Sequence, residues 1–538
     1  MKRESISFER FNNLYKILKF SLPAVKEGTI IEYHYKLYSD YFSHIDNWMM
    51  QEELPMLYNQ YKITIPHVFV YNIELRGKDY IQVKQRDSSI HATEREGSSA
   101  GGVSKDFTVS AQETTFISRN LPAIRQDESY CWCPEDYKVQ VSFDLQGTQF
   151  TPNEYKPYSQ KWEDVDKQLL KPENTQFGEH LSLTNNSEMN FEEKIICAFQ
   201  VLKKKMAWNG RYQLYSKELE KVIKKGSGSN ADLNFILISI LKDFGLEAYP
   251  VVMSRRSSGM LPYNFPSLQK LNTFFVAIHD INKQKYVFLD SSMDVPAFNI
   301  LPLELSVNKA RMLSLKEKEE KKWVNVMALS HNKSFMKIDA RIEGNQVKGH
   351  RSTVLYGQEA IEYQANENHK QDNLVSNPEN KVSQKEKLTV TNLKVKKQEN
   401  DWALIEEEFD FVLQADRTDD HLYINPMLFP QLKSNPFIQT ERVLPIEFPY
   451  PYKFTMLSTL TLPEGYEVEE LPQSQSIRSE GDGLQCKYMI QQQGNTILLN
   501  YVFHLKGYIF LSEQYKQLQE LWAKVIEKNN ALIVLKKI

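Results

Sequence analysis

Residues 226–253 read GSGSNADLNFILISILKDFGLEAYPVVM, and this stretch organises the chain around it. Leu233, Ile236, Leu237, Ile240 and Leu241 fall at the i, i+3, i+4, i+7, i+8 spacing of a helix that buries one face. Phe235 and Ile238 widen that stripe, which predicts a central helix over 230–244. Ser229 is placed as its N-cap. Asp232 lies in the first turn, where the helix dipole favours a negative charge, and Gly245 can end the helix in a left-handed conformation. A strand from Glu247 to Met253 is expected to follow at once.

Gly-Ser-Asn-Ala-Asp at the mouth of an apolar helix, followed by Gly-Leu-Glu-Ala-Tyr-Pro-Val-Val, resembles the nucleophile helix and next strand of transglutaminase-like domains. In that family a cysteine sits at the helix N-terminus, where the dipole favours the thiolate. Counting back from Gly245, the matching position is Asn230, whose amide does not ionise. A register slip of one residue would place Ser229 there, and a serine needs a strong base beside it.

The segment LNTFFVAIHDINKQKYVFLDSS reads as a hairpin, Thr273 to Asp280 and Lys285 to Ser292, with Asp280 opposite Lys285. Alternation puts Phe274, Val276, Ile278, Val287 and Leu289 on one apolar face. Thr273 and Asp290 share the other face as diagonal neighbours, a geometry suited to a base and its orienting acid. The resemblance implies Asn-His where this chain has Asn272-Thr273, and an aspartate at Asp290. Of a Cys, His, Asp set only the third member is present. His279 lies six positions from Thr273, roughly 20 Å along a strand, too far for a general base. Cys197, within FEEKIICAFQVLKKKM, reads as a small apolar member of an amphipathic helix.

Lys and Arg number 66 against 69 Asp and Glu, so the formal charge is -3 and there is no basic excess to attract nucleic acid. Runs such as Lys203–Lys205 and Lys316–Lys322 read as solvated helix faces. Four cysteines make no disulfide framework. Cys131 and Cys133, taken as strand neighbours, lack the further ligands that a zinc site needs, so neither metal nor cofactor is expected. The longest strongly apolar run, Phe235 to Leu241, is far short of a membrane span, and no signal peptide is visible at the N-terminus.

The predicted class is α+β: a central transglutaminase-like (papain-like) domain at 165–310 between β-rich regions at 1–160 and 323–538. Expected strands before the centre are Thr29–Leu37, Lys62–Ile73, Asp79–Lys84, Phe107–Phe116 and Tyr137–Phe143. Expected strands after it are Ser334–Ile342, Leu388–Val395, Trp402–Leu413 and Phe454–Leu462. Helices are expected at Trp162–Leu170, Phe191–Met206 and Tyr356–Gln364, a loop at Asn366–Lys387, and a terminal amphipathic helix with a short strand. KFSLPAVKEGTIIEYHYKLYS, LYINPMLFPQLKSNPF, ERVLPIEFPYPY and LPEGYEVEELP resemble β-rich domains of unknown function that flank transglutaminase-like domains in a group of bacterial proteins. The resemblance implies an N-terminal domain that is incomplete, with an open sheet edge near residues 15–37.

With the thiol and the imidazole both replaced, covalent attack and proton transfer are lost together. The expectation is a non-catalytic protein with a degenerate set at Asn230, Thr273 and Asp290. Its implied role is binding or scaffolding at the bacterial cell envelope or periplasm, with a protein, peptide or glycan as partner. The alternative is a divergent amide hydrolase or acyltransferase using Ser227, Ser229 or Asp290.

Overall fold

The computed structural model describes the chain except residues 1–5, 11–15, 23, 33, 35–44, 97–102, 126–128, 152–153, 158–160, 172–188, 217, 263–265, 267, 330, 373–387 and 399–400. Its residues form two compact units, 1–46 and 47–538. In the first, Ile6–Arg10 and Lys16–Phe20 pair antiparallel, with Ile6 opposite Phe20. The described part of the expected strand Thr29–Leu37 is not extended into a ladder, and its remainder lies outside the described residues.

The second unit begins with two sheets. Met56–Pro66, Val103–Leu121 and Gln82–Glu96 form one, with the middle strand paired to both others. Trp48–Met49, Gln140–Thr151 and Phe69–Arg76 form the other. Tyr61 and Phe116 of the first sheet meet Phe143 of the second at ring distances of 5.8 and 6.3 Å. The single strand expected over Lys62–Ile73 is broken after Pro66, which lacks an N–H for the ladder. The segment with Cys131 and Cys133 is a loop and not a strand.

Next come helices α1 (Trp162–Leu169), α2 (Phe191–Lys205), α3 (Leu219–Lys225) and α4 (Asn230–Asp243). A five-stranded sheet lies against them, in the order Lys285–Leu289, Thr273–Asp280, Glu247–Met253, Ala310–Met312 and Trp323–Val324, with every pairing antiparallel. The α4 stripe packs with Phe274, Val276, Ile278 and Leu289 on one sheet face. Phe275, Ala277 and Phe288 point into a second core on the other face, with Val251, Met253, Leu301 and Leu305. This sheet is therefore buried on both sides.

The C-terminal part is built on an eight-stranded sheet in the order Leu388–Gln398, Asp401–Gln414, Gln346–Tyr356, Asn332–Glu343, Tyr452–Thr461, Thr496–Leu505, Leu484–Gln493 and Gln475–Arg478. Only Asn332–Glu343 and Tyr452–Thr461 run parallel. Asn332–Glu343 alternates buried and exposed residues along its whole length, as a strand with one wet face must. Helix α5 (Gln358–Asp372) continues into the segment expected as a loop, whose remainder to residue 387 lies outside the described residues. Helix α6 (Tyr515–Asn529) lays Leu518, Trp522 and Val525 on the sheet's core face, and Ile533–Lys537 joins a smaller sheet with His421–Ile424 and Tyr466–Glu470.

Among the described residues 44% are strand and 22% helix, so the structure is mostly β, and this overturns the α+β class with a central papain-like domain. The error has a physical origin. Strands such as Gln346–Tyr356 are half-buried and carry Lys348, His350 and Arg351, so they lack the alternation by which strands are recognised in sequence. No helix among the described residues is long and apolar enough to cross a membrane.

Candidate functional site at the mouth of helix α4

Ser229 caps α4 through a reciprocal box: its Oγ accepts from Asp232 N at 3.2 Å, and Asp232 Oδ2 accepts from Ser229 N at 2.8 Å. Ser229 Oγ also donates to that carboxylate at 2.8 Å and is 1% exposed. A hydroxyl so engaged is a cap and not a free nucleophile. Ser227 lies just upstream, in a two-residue strand paired parallel with Ala207–Trp208.

That pairing sets the loop 209–213 against the helix mouth, where its backbone meets Asn230. Asn230 N donates to Arg211 O at 3.0 Å, and Asn230 Oδ1 accepts from Gln213 N at 2.9 Å. Its Nδ2 donates to Thr273 Oγ1 at 2.7 Å and to Phe274 O at 3.0 Å. Asn230 and Thr273 are both fully buried. The structure thus brings together the two positions that in the resembled family would carry cysteine and histidine, and joins them by an amide–hydroxyl hydrogen bond.

Asp290 lies beside them, 1% exposed, and one of its partners comes from α4 itself. Asn234, one helical turn after Asn230, donates from Nδ2 to Asp290 Oδ2 at 2.9 Å and to Phe274 O at 2.8 Å. Its Oδ1 accepts from Ser291 N at 2.9 Å and Ser291 Oγ at 2.7 Å. Ser292 donates to Asp290 Oδ1 from its backbone N at 2.9 Å and from its hydroxyl. The signal was present in the sequence, since Asn234 is a polar residue i+4 from Asn230 inside an otherwise apolar helix.

Burial pushes the Asp290 carboxyl above its ordinary range, against the opposing pull of Ser292, Asn234 and Asn230. Around this network Tyr212 is pushed up to about 12, chiefly by burial, and burial lowers the Lys203 ammonium. His279 is at the other end of its strand, stacked on Tyr286 at 4.8 Å and 3.5 Å from Glu247 Oε2. Glu247 pairs with His279 across the ladder, whereas Met253 pairs with Thr273. Cys197 is on α2, packed against the α4 core. Burial raises the Cys131 thiol to about 12 and also raises Cys133, which disfavours thiolates there. Among the described residues no group of three or more His, Cys, Asp or Glu could hold a metal ion.

The arrangement offers mutually satisfied amides and hydroxyls and one enclosed carboxylate. Every group around Asp290 points a donor at it, and an amide in its place would set its own N–H2 against the Asn234 amide. Asp290→Asn should therefore cost roughly 1 to 2 kcal/mol at neutral pH. Because the folded carboxyl has the higher pKa, its contribution is fullest below the unfolded value, about 4, and is lost as pH rises through the folded one. Urea unfolding of both proteins should show their stability difference widening on acidification.

A second region ties the central part to both β-rich parts. The Arg256 guanidinium, which burial lowers to about 10, donates to Pro449 O and Phe448 O at 2.8 Å each and covers the Trp132 ring at 4.3 Å. Glu447 accepts from Trp132 N at 2.9 Å and Tyr137 Oη at 2.6 Å. Asp136 accepts from Met260 N at 2.6 Å and Arg76 Nη1 at 3.1 Å. Gly259, at φ +90°, sits against that carboxylate so closely that a Cβ would fall 2.5 Å from Asp136 Oδ1.

Comparison with known proteins assigns only the C-terminal part. Residues 420–535 match a domain of unknown function, DUF3858, for which a solved structure exists. No curated protein matches the chain. A crystal structure from Parabacteroides distasonis ATCC 8503, described as a "putative protease", is similar over 91% of this chain and 74% of its own, with 12% identity and a TM-score of 0.47. That degree of similarity carries no activity across. The chain is thus one with a C-terminal domain of unknown function joined to further β-rich structure and a helical, sheet-backed centre.

Proposed function

We propose that this protein is a non-catalytic binding or scaffolding component of the bacterial cell envelope, related through its central segment to transglutaminase-like proteins but without their chemistry. The observation that carries this reading is the state of Asn230. It stands where the nucleophile of the resembled family would be, is fully buried, and has its backbone N–H and both ends of its amide engaged with Arg211, Gln213, Thr273 and Phe274. An amide has no ionisable proton to yield, and Thr273 cannot act as the imidazole that would accept one. The partner in this reading is a protein, peptide or glycan held on the surface, while the α4 network keeps the central sheet rigid.

The purified protein should neither join an amine donor to a glutamine substrate nor hydrolyse peptides above a blank. A screen with broad electrophilic active-site probes, read by mass spectrometry, is the direct test. Covalent labelling of Ser227 or Ser229 would overturn the non-catalytic reading. The envelope assignment rests on the sequence resemblance and is tested separately, by fractionating cells that make the native gene product. Recovery in the cytosol alone would sink it.

A further inference from the structure

In the C-terminal part a cavity of about 290 Å³ opens between the core face of the eight-stranded sheet, α5 and α6. Its wall is largely aromatic and includes Tyr130, Tyr450, Tyr452, Phe454 and Trp522, with the Glu359 carboxylate as its one acid. The volume suits a molecule of one ring and a short chain, at the small end of ligand sites. Two further observations bear on what it takes.

The first is charge. Glu359 and Glu362 lie one turn apart on α5 beside the hydroxyls of Tyr452 and Tyr450. Burial raises the Glu359 carboxyl against hydrogen bonds from Tyr452 and Ser334, and the charge acting on it is that of Glu362. A half-buried carboxyl at an aromatic wall, with no cation paired to it among the described residues, is a site that gains from one, because the ring faces and the carboxylate attract it together. The second is ring surface. Trp522, 4% exposed, stacks on Phe448 at 5.5 Å, and both rings line the cavity. Such faces receive an aromatic body or a cation.

We propose that this cavity binds a small organic ammonium with an aromatic body, its cation against Glu359 and its ring among Tyr450, Tyr452, Phe454 and Trp522. The site is separate from the α4 network and would hold whether or not the protein is catalytic. A neutral sugar fits less well, since most of the wall is apolar and could not satisfy a ring of hydroxyls.

The test uses the full chain and two probes that differ only at one end: tyramine, which carries the ammonium, and tyrosol, which has a hydroxyl in its place. Isothermal titration at neutral pH should give tyramine an affinity about tenfold or more above that of tyrosol. Glu359→Gln keeps the shape of the wall and should abolish that preference while leaving the melting temperature nearly unchanged. Should that variant fail to fold, Glu362→Gln, on an exposed position, should reduce the preference in its place. Equal binding of the two probes, no binding of either at millimolar concentration, or an undiminished preference in the folded variant would each overturn the proposal.

Discussion

Asp166→Ala should lower the unfolding free energy by roughly 3 to 5 kcal/mol, the largest loss expected from any single polar substitution described here. Asp166 on α1 is 1% exposed and receives Arg311 as a fork, Nε to Oδ1 at 2.7 Å and Nη2 to Oδ2 at 2.8 Å. Lys322 adds a third donor at 3.0 Å. Arg311 is fully buried, between the rings of Trp162 and Trp323 at 5.4 and 5.0 Å. Removing the carboxylate leaves two enclosed cations facing one another, with Glu319 alone among the described residues to balance them. Glu319 is 44% exposed at its side chain, so Glu319→Gln should cost less than about 1 kcal/mol. Urea unfolding of both variants provides the check, and equal losses would show that Asp166 is not the keystone of the cluster.

Asn234→Leu should cost about 3 kcal/mol, although leucine nearly matches asparagine in size and extends the apolar stripe of α4. The loss arises from what is left behind. Asp290 would lose its Asn234 donor, and the N–H and hydroxyl of Ser291 would lose their acceptor, all in a region that is 0–1% exposed. Leu237→Ala, a pure cavity at a fully buried site of the same helix, provides a scale in the range of about 2 to 5 kcal/mol. If Asn234→Leu proved neutral in thermal or urea unfolding, the polar network would be dispensable, and its retention would call for a functional reason.

The helix at 230–243 and the hairpin after it were legible because their determinants are local. An N-cap at Ser229, a stripe at helical spacing and Gly245 at φ +74° mark one helix, and alternation with a four-residue turn marks the ladder in which Asp280 faces Lys285. The meeting of Asn230 with Thr273 was legible only through the family resemblance. Asn234 was passed over because a single polar residue in an apolar stripe reads as noise until its partners from residues 290–292 are seen.

Long-range charge pairing was hidden for the same reason. Lys322 sits in a lysine-rich run that reads as a solvated face, yet it is 6% exposed because Asp166, 156 residues earlier, comes to meet it. The mistaken fold class came from strands that were missed. Leu484, Cys486, Tyr488 and Ile490 do alternate inward and could have been read. Gln346–Tyr356 could not, since its burial depends on neighbours on both sides.

The Glu447 junction has a consequence in time. Its two hydrogen bonds close over 315 and 310 residues of chain, so they can form only after most of the polypeptide has been made and ordered. Contacts of such separation bear a large loop-closure cost and come late in assembly. A nascent chain would therefore pass through states in which the early sheets and the central helices are built but not yet clasped, with Trp132 and the tyrosine beside it still awaiting the carboxylate. Synthesis that stops short of residue 447 would leave that clasp permanently open, and quality-control proteases would meet a protein whose parts are each formed and whose seam is not.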